Sequence, residues 1–91
     1  MMEIRKTLDY DLWFQSLAVR TQLQITARLE RIQHAGHFGD SKNLGEQLFE
    51  LRWKNGYRIY FCRQENIIIL LLGGSKHEQQ KDIKKARNML R

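Results

Sequence analysis

The stretch that decides the fold runs from Glu50 to Phe61 and reads ELRWKNGYRIYF. Apolar and polar side chains alternate on either side of the central Lys54-Asn55-Gly56. Alternation with a period of two is typical of a strand with one buried face, and a short glycine-containing break between two such runs is typical of a β-hairpin. The segment therefore predicts two antiparallel strands joined by a tight turn.

The length of the turn decides which side chains face each other across the hairpin. A two-residue turn at Asn55-Gly56 places Trp53 opposite Arg58. A three-residue turn, with Gly56 in the left-handed conformation, places Arg52 opposite Arg58 instead. The second register gathers the apolar side chains on one face, where they are Phe49, Leu51, Trp53, Tyr57, Ile59 and Phe61. Because a slip of one residue turns a strand's apolar side chains to solvent, burial selects the three-residue turn.

In this register two guanidinium groups lie side by side on the other face. Like charges directly opposite each other destabilise a sheet, so the pair formed by Arg52 and Arg58 requires a compensating partner. A phosphate group bound between them would be one, since guanidinium binds phosphate through paired hydrogen bonds. The alternative is a structural ion network in which Glu50, Glu78 or Asp82 neutralises the two charges.

The remaining segments predict one α+β domain with the element order β-α-α-β-β-β-α. We expect strands at Glu3–Thr7, Leu48–Trp53, Tyr57–Arg63 and Asn66–Leu72, helices after the N-cap Asp9, at Val19–His34 and at His77–Leu90, and a polar loop at His37–Gly45. The last three strands should form an antiparallel meander, with the wholly apolar Ile67–Leu72 as a central strand buried on both faces. The two-helix hairpin should cover one face of the sheet and leave the opposite face, or its concave part, to a ligand.

Length, charge and cysteine content narrow the possible functions. The 91 residues fit a single domain, 1–91, and carry 16 Lys and Arg against 10 Asp and Glu, a formal net charge of +6. This excess favours an anionic partner such as nucleic acid or an acidic protein. The single cysteine, Cys62, excludes a disulfide within the chain, and no apolar run is long enough to span a membrane. We expect a cytoplasmic location, no membrane contact and no metal site.

A second group of candidate residues follows the last strand. The segment Gly73-Gly74-Ser75-Lys76-His77 leads from the strand into the terminal helix, where free backbone amides can face an anion. The glycines are expected to make the turn, and Ser75 with Glu78 fits a capping box. Lys76 can add positive charge, and the imidazole of His77 can exchange a proton near neutral pH.

These motifs together resemble those of a known family of small toxins. The ELR strand at 50–52, the GYRIYF strand at 56–61 and the ending LLLGGSKHEQQKDIKKA at 70–86 are similar to the toxins of type II toxin–antitoxin modules in the RelE/ParE superfamily. The resemblance is strongest to the HigB-like addiction module killer proteins, and it covers nearly the whole chain. Two positions depart from the pattern: Ser75 stands where an aspartate is usual, and Ile83 stands where RelE has a late tyrosine.

The resemblance implies a RelE/ParE-like fold and cleavage of mRNA in the ribosomal A site, without a metal or other cofactor. It also implies a cognate antitoxin, a small helix-turn-helix protein encoded beside this chain, with the ribosome and mRNA as further partners. The residues expected to act on the scissile phosphate are Arg52, Arg58, Lys76 and His77, and the groups that can replace the missing tyrosine are His77, Lys76 and Tyr60. The residues expected to bind RNA are Lys54, Arg20, Arg28, Arg31 and Lys81.

Two other functions fit the same fold. Relatives of the ParE type bind DNA gyrase and cleave no RNA, and a member of the fold can bind nucleic acid without catalysing a reaction. The clustering of Arg52, Arg58, Lys76 and His77 favours the nuclease. The stripe formed by Arg20, Arg28 and Arg31 is most simply a solvated helix face, with RNA backbone binding as the functional alternative.

Overall fold

The computed structural model of the chain describes all residues from 1 to 91. The elements are β1 (Glu3–Lys6), α1 (Leu8–Gln15), α2 (Val19–Ala35), β2 (Ser41–Gly45), β3 (Leu48–Arg52), β4 (Tyr57–Gln64), β5 (Ile67–Ser75), a short 3-10 turn (Lys76–Glu78) and α3 (Gln79–Met89). The predicted α+β class is confirmed, with three helices and a sheet of five strands. None of the helices combines the length and apolar character that crossing a membrane requires.

One mixed sheet with the strand order β1-β5-β4-β3-β2 organises the molecule. The predicted meander of β3, β4 and β5 is confirmed, and β1 joins it by pairing parallel to β5. Strand β5 therefore lies between two neighbours. Its Ile68 and Leu70 are buried on one face, and its Leu71 and Leu72 are buried on the other, as expected for a central strand.

Strand β2 is an element that the sequence analysis missed, because residues 41–45 were expected to lie in a loop. It pairs antiparallel with β3, and a bulge between Asn43 and Gly45 interrupts the pairing. As an exposed edge strand it needs only backbone hydrogen bonds, so it carries no apolar alternation. The turn that follows holds Glu46 and Gln47 at φ values of 53° and 70°, in a conformation that usually takes asparagine or glycine.

The start of α1 also differs from the prediction. Thr7, rather than Asp9, is the N-cap: its Oγ1 accepts a hydrogen bond from Tyr10 N at 3.1 Å. The same hydroxyl donates to Leu71 O at 2.7 Å, so this one side chain joins the helix to β5. Asp9 lies in the first turn, where a negative charge stabilises the positive end of the helix dipole.

The core lies in two layers, one on each face of the sheet. On one face α1 and α2 pack through Tyr10, Ile25, Leu29 and Ile32 onto Leu51, Ile59, Phe61, Ile68 and Leu70. On the other face Ala86 of α3 packs on Leu48, Tyr60, Cys62, Leu71 and Leu72. The whole of this second face is therefore not left to a ligand, because the apolar side of α3 packs on it; only the narrower expectation, that part of the face is left, agrees with the structure. The uncovered part lies at the β3–β4 turn, beside the N-terminal end of α3.

Candidate functional site

The β3–β4 hairpin has the register that burial selects. Arg52 is paired with Arg58 across the two strands. Trp53 N donates to Tyr57 O at 3.0 Å, and Gly56, at a φ of 100°, donates to Trp53 O at 3.0 Å. The predicted three-residue turn with a left-handed Gly56 is thus confirmed. Both arginines lie on the α3 face of the sheet.

A buried carboxylate lies next to the two arginines. Glu50 is fully buried, and its Oε1 accepts a hydrogen bond from Arg52 Nε at 2.7 Å. Its Oε2 lies 3.9 Å from Arg58 Nε and accepts a 2.8 Å hydrogen bond from Gln79 Nε2 of α3. Of the three acidic residues considered as neutralising partners, Glu50 has this role. The like charges of the pair are therefore partly compensated within the fold.

The two guanidinium groups are nevertheless not equivalent. Arg52 makes one side-chain hydrogen bond, through Nε, and its side chain is 31% exposed. Arg58 is only 14% exposed, and its Nη1 donates to Tyr57 O at 3.1 Å and to Trp53 O at 3.3 Å. Arg52 thus keeps both terminal nitrogens free for an anion, whereas Arg58 uses Nη1 within the fold and its Nε is buried without a hydrogen-bond partner.

Several ionisable groups at the site have shifted pKa values. The hydrogen bond that Arg52 donates to Glu50 raises the pKa of the guanidinium, which therefore stays charged at every relevant pH. Burial, followed by the charges of Glu50 and Asp82, raises the pKa of the Tyr60 hydroxyl, which makes no hydrogen bond. Burial, followed by the charge of Glu78, raises the pKa of Asp82. Tyr60 therefore remains a neutral phenol at physiological pH.

The two glycines of the ending have a different role from the predicted one. Gly73 and Gly74 belong to β5, paired with Ile59 and Arg58, and do not form a turn. A Cβ atom at Gly73 would lie 2.1 Å from the Trp13 ring, and one at Gly74 would lie 2.0 Å from Asp82 Oδ2. Glycine is needed here because α1 and α3 approach the strand closely from its two faces.

The expected capping box is absent. The side chain of Ser75 makes no capping hydrogen bond, and Ser75 ends β5 in an extended conformation. Lys76 follows in the 3-10 turn and is exposed, with its amide donating to Gly56 O at 2.7 Å. The structure therefore brings Lys76 to the hairpin turn. His77 is exposed in the same 3-10 turn and makes no hydrogen bond to the arginine pair.

Arg28 has a structural role, which corrects its assignment to the RNA-binding stripe. It is 8% exposed, and its guanidinium donates to Phe38 O and Asp40 O at 2.8 and 2.7 Å and to Arg52 O. The group also lies 4.3 Å from the Trp53 ring centroid, within range of a cation–π interaction. Because these contacts use its donors, Arg28 could bind an RNA backbone only by giving up hydrogen bonds to the loop and to Arg52 O.

The other predicted RNA-binding residues are exposed but are not gathered in one place. They are Arg20 and Arg31 on α2, Lys54 in the hairpin turn and Lys81 on α3. Helix α2 packs on the sheet face opposite to that of Arg52, so the structure does not bring Arg20 and Arg31 to the pair. Lys54 follows Arg52 by two residues in the hairpin turn, and Lys81 follows by two residues Gln79, which contacts Glu50.

Sequence reasoning placed Glu50 only among possible neutralising residues and missed Gln79 altogether. The available signal was the position of Glu50 in the hairpin: it lies two residues before Arg52, on the same strand face. A polar side chain that α3 covers needs hydrogen-bond or ion-pair partners. For Glu50 these partners are the two arginines and Gln79. No three His, Cys, Asp or Glu side chains lie close enough together to bind a metal ion.

Comparisons with known proteins agree with this architecture. Residues 12–91 match the family described as Phage derived protein Gp49-like (DUF891). An uncharacterized protein of Haemophilus influenzae is 41% identical over 90 residues, which cover 94% of this chain and 90% of that protein.

Solved toxin structures share the fold at low sequence identity. The isolated E. coli RelE toxin superposes with a TM-score of 0.70 at 11% identity, covering 93% of this chain and 98% of that chain. A chain of the RelB–RelE complex of Methanococcus jannaschii gives 0.71 at 13% identity, with 85% and 95% covered. A chain of the YoeB–YefM complex of Staphylococcus aureus gives 0.62 at 16% identity, with 80% and 94% covered. The fold is therefore that of the RelE toxins.

Proposed function

We propose that this chain, which belongs to the Gp49-like family of phage-derived proteins, is the toxin of a type II toxin–antitoxin module that cleaves mRNA on the ribosome. The observation that carries the proposal is the cationic pair of Arg52 and Arg58 on a fold shared with RelE. Arg52 has two free terminal nitrogens at the uncovered end of the α3 face.

The proposed chemistry is attack of the RNA 2′-hydroxyl on the adjacent phosphate. As the 2′-oxygen bonds to phosphorus, the phosphoryl oxygens gain negative charge, and fixed cations that face this charge lower the barrier. The bond to the 5′-oxygen then breaks, which leaves a 2′,3′-cyclic phosphate on one fragment and a protonated 5′-hydroxyl on the other. Arg52 binds the phosphate directly, and Arg58 adds a second charge held in place by backbone carbonyls. Lys76, anchored at the hairpin turn, supplies a third.

Proton transfer is assigned to His77. The base must take the proton of the 2′-hydroxyl, and the acid must give one to the 5′-oxygen. The imidazole of His77 is assigned one of these two transfers, and the other proton is exchanged with water. Tyr60 is a poor alternative, because its hydroxyl is buried and its pKa is raised. The exposed 3-10 turn that carries His77 also lets substrate reach the imidazole. On the ribosome, alignment of the mRNA would supply the orientation that a small protein surface cannot.

The proposed partner is an antitoxin encoded by the neighbouring gene. The matched solved structures include RelB–RelE and YoeB–YefM complexes, in which each toxin is seen with its antitoxin. A chain with a net charge of +6 is best neutralised by acidic contacts. We expect a small helix-turn-helix protein that covers the arginine pair or displaces α3.

The test uses purified protein, ribosomes and one defined mRNA. We expect cleavage at the ribosomal A site by the wild type, and little cleavage of the same mRNA without ribosomes. Arg52→Ala should lower the cleavage rate by about 100-fold or more, as expected for loss of a donor to the developing charge. Arg5→Ala, which removes an equal charge from the exposed surface of β1, is the matched control. Intact mRNA together with inhibition of purified DNA gyrase would instead show a ParE-type activity.

A further inference from the structure

Glu50 is an unusual residue to bury in a protein that is proposed to bind RNA. Its carboxylate is fully buried on the same sheet face as the arginine pair, where it removes positive charge from the site. A buried carboxylate is rarely a net source of stability compared with an apolar residue of similar volume. Its presence beside the pair therefore calls for an explanation other than stability or attraction of RNA.

The contacts of Glu50 provide that explanation. Each of its two oxygens is directed to the Nε side of one guanidinium, at 2.7 Å for Arg52 and 3.9 Å for Arg58. The 2.7 Å hydrogen bond at Nε restricts rotation of the Arg52 guanidinium and leaves both of its terminal nitrogens without a bond to the carboxylate. Arg58 is not held in this way, because its buried Nε makes no hydrogen bond. The two terminal nitrogens of Arg52 have no hydrogen-bond partner in the fold, and 31% of the side chain is exposed.

The backbone of Arg52 is fixed as firmly as its side chain. Its amide donates to Asp40 O at 2.9 Å, and its carbonyl accepts a hydrogen bond from the buried guanidinium of Arg28. Gln79 holds the second oxygen of Glu50 at 2.8 Å, which keeps the carboxylate from rotating. Arg52 is thus held at three points, and only its terminal nitrogens are left unengaged.

We propose that Glu50 is a positioning residue, which holds Arg52 with both terminal nitrogens directed outward as a fork for one phosphate group of RNA. This division of roles makes Arg52 the phosphate ligand and Arg58 a buried supporting charge. The proposal rests on the proposed RNA cleavage and deepens it. Glu50 lowers the positive charge of the site, and it also fixes the orientation of the Arg52 guanidinium. A fixed fork keeps its charge where the negative charge of the reacting phosphate develops, so the fixation should raise the cleavage rate rather than the affinity for RNA.

The variant that tests this role is Glu50→Gln. If Glu50 orients Arg52, the change should lower cleavage, whereas its effect on the attraction between the site and RNA should be neutral or favourable. The amide keeps the shape but gives Arg52 a weaker acceptor, so cleavage on the ribosome should fall by about 10- to 100-fold, as expected for a misplacement of about 1 Å. Binding of a short single-stranded RNA at low salt should stay equal or tighten, since one negative charge is lost. Glu30→Gln, with the same charge change on the exposed side of α2, should keep wild-type cleavage.

A spectroscopic measurement on the wild type makes the test independent of cleavage. In a 15N-labelled protein, the Nε–H signal of Arg52 should be slowly exchanging, and it should broaden or shift strongly in Glu50→Gln. Titration with the short RNA should move the terminal nitrogen signals of Arg52 more than those of Arg58. The exchange rate of the Nε–H signal and the RNA titration are measured on the wild type, so both stand even if Glu50→Gln fails to fold.

A second variant, Glu50→Asp, keeps the charge but shortens the side chain. It should lower cleavage without loss of RNA binding.

Three outcomes would overturn the positioning role: wild-type cleavage by Glu50→Gln, parallel loss of RNA binding and cleavage in that folded variant, or RNA shifts at Arg58 with none at Arg52. A wild-type protein that binds RNA through Arg52 in this way but cleaves none would overturn the proposed function alone.

Discussion

At the scale of single residues, the buried carboxylate of Glu50 changes the effect on stability that two opposed arginines would otherwise have. Two opposed arginines should repel each other, and removing one should then stabilise the sheet by roughly 0.2–1 kcal/mol. Glu50 reverses this expectation, because it is fully buried and depends on both cations for compensation. Loss of Arg58 leaves a buried carboxylate with one partner fewer.

The first prediction is therefore that Arg58→Ala destabilises the protein, by about 1–3 kcal/mol, the usual cost of removing a partner from a buried polar group. Leu51→Ala, at a position 1% exposed, should cost about 2–5 kcal/mol through the cavity it leaves. The surface change Arg5→Ala should stay within about 0.5 kcal/mol of the wild type. Urea unfolding measures all three; a gain in stability for Arg58→Ala would show that repulsion outweighs pairing with Glu50.

The second prediction concerns Asp82, whose pKa is raised above 3.8 by burial and then by Glu78. An acid with a raised pKa in the folded state favours folding most when protonated, and this contribution is lost as pH rises through the folded pKa. Asp82→Asn should therefore be more stable than the wild type at neutral pH, and the difference should disappear as pH falls below 3.8. Unfolding at a series of pH values tests this; a variant less stable at neutral pH contradicts it.

At the scale of elements, the sequence predicts a strand or helix where the order of apolar and polar side chains marks its buried face. The β3–β4 hairpin was predicted down to its register, because burial distinguishes its two faces. Strand β2 was missed because it is an exposed edge strand. It is held by backbone hydrogen bonds, which do not require particular side chains. The glycines at 73–74 were misread as a turn, since the need for them comes from α1 and α3, which are distant in sequence.

The third prediction separates the two glycines. Gly73→Ala places a methyl group against the packed ring of Trp13 and should cost about 1–3 kcal/mol as an overpacking change. Gly74→Ala meets only the carboxylate end of Asp82, which can rotate away, so it should cost less. Denaturant unfolding of the two variants, which differ by one position and carry the same added methyl, provides the comparison. A larger loss for Gly74→Ala would contradict the assignment of these contacts.

At the scale of the whole molecule, the charge and the covered face of the sheet define what a partner can reach. The net charge of +6 is spread over both sides of the sheet, whereas the arginine pair is accessible only beside the N-terminal end of α3. The sequence predicted the charge and the candidate arginines. It could not predict that Arg28 is buried or that α3 covers most of the face, because both depend on packing between distant segments.

The fourth prediction concerns association with the antitoxin. Long-range attraction between an acidic antitoxin and this basic chain should speed their encounter, and dissolved salt screens such attraction. Raising the salt concentration from about 50 to about 500 mM should therefore lower the association rate constant more than it raises the dissociation rate constant. Stopped-flow or surface-based kinetics measure both constants. An association rate that does not change with salt would count against electrostatic steering.

The central claim is that Arg52 serves mRNA cleavage on the ribosome, and one experiment in growing cells tests it directly. Expression of the wild type is induced without the antitoxin, and the 5′ ends of mRNA and the supercoiling of a plasmid are followed in the same cultures. We predict new mRNA ends at ribosomal A sites and a halt in translation before supercoiling changes, with neither effect in Arg52→Ala and both retained in Arg5→Ala. Gyrase-linked DNA breaks with intact mRNA, or full cleavage by Arg52→Ala, would contradict the account.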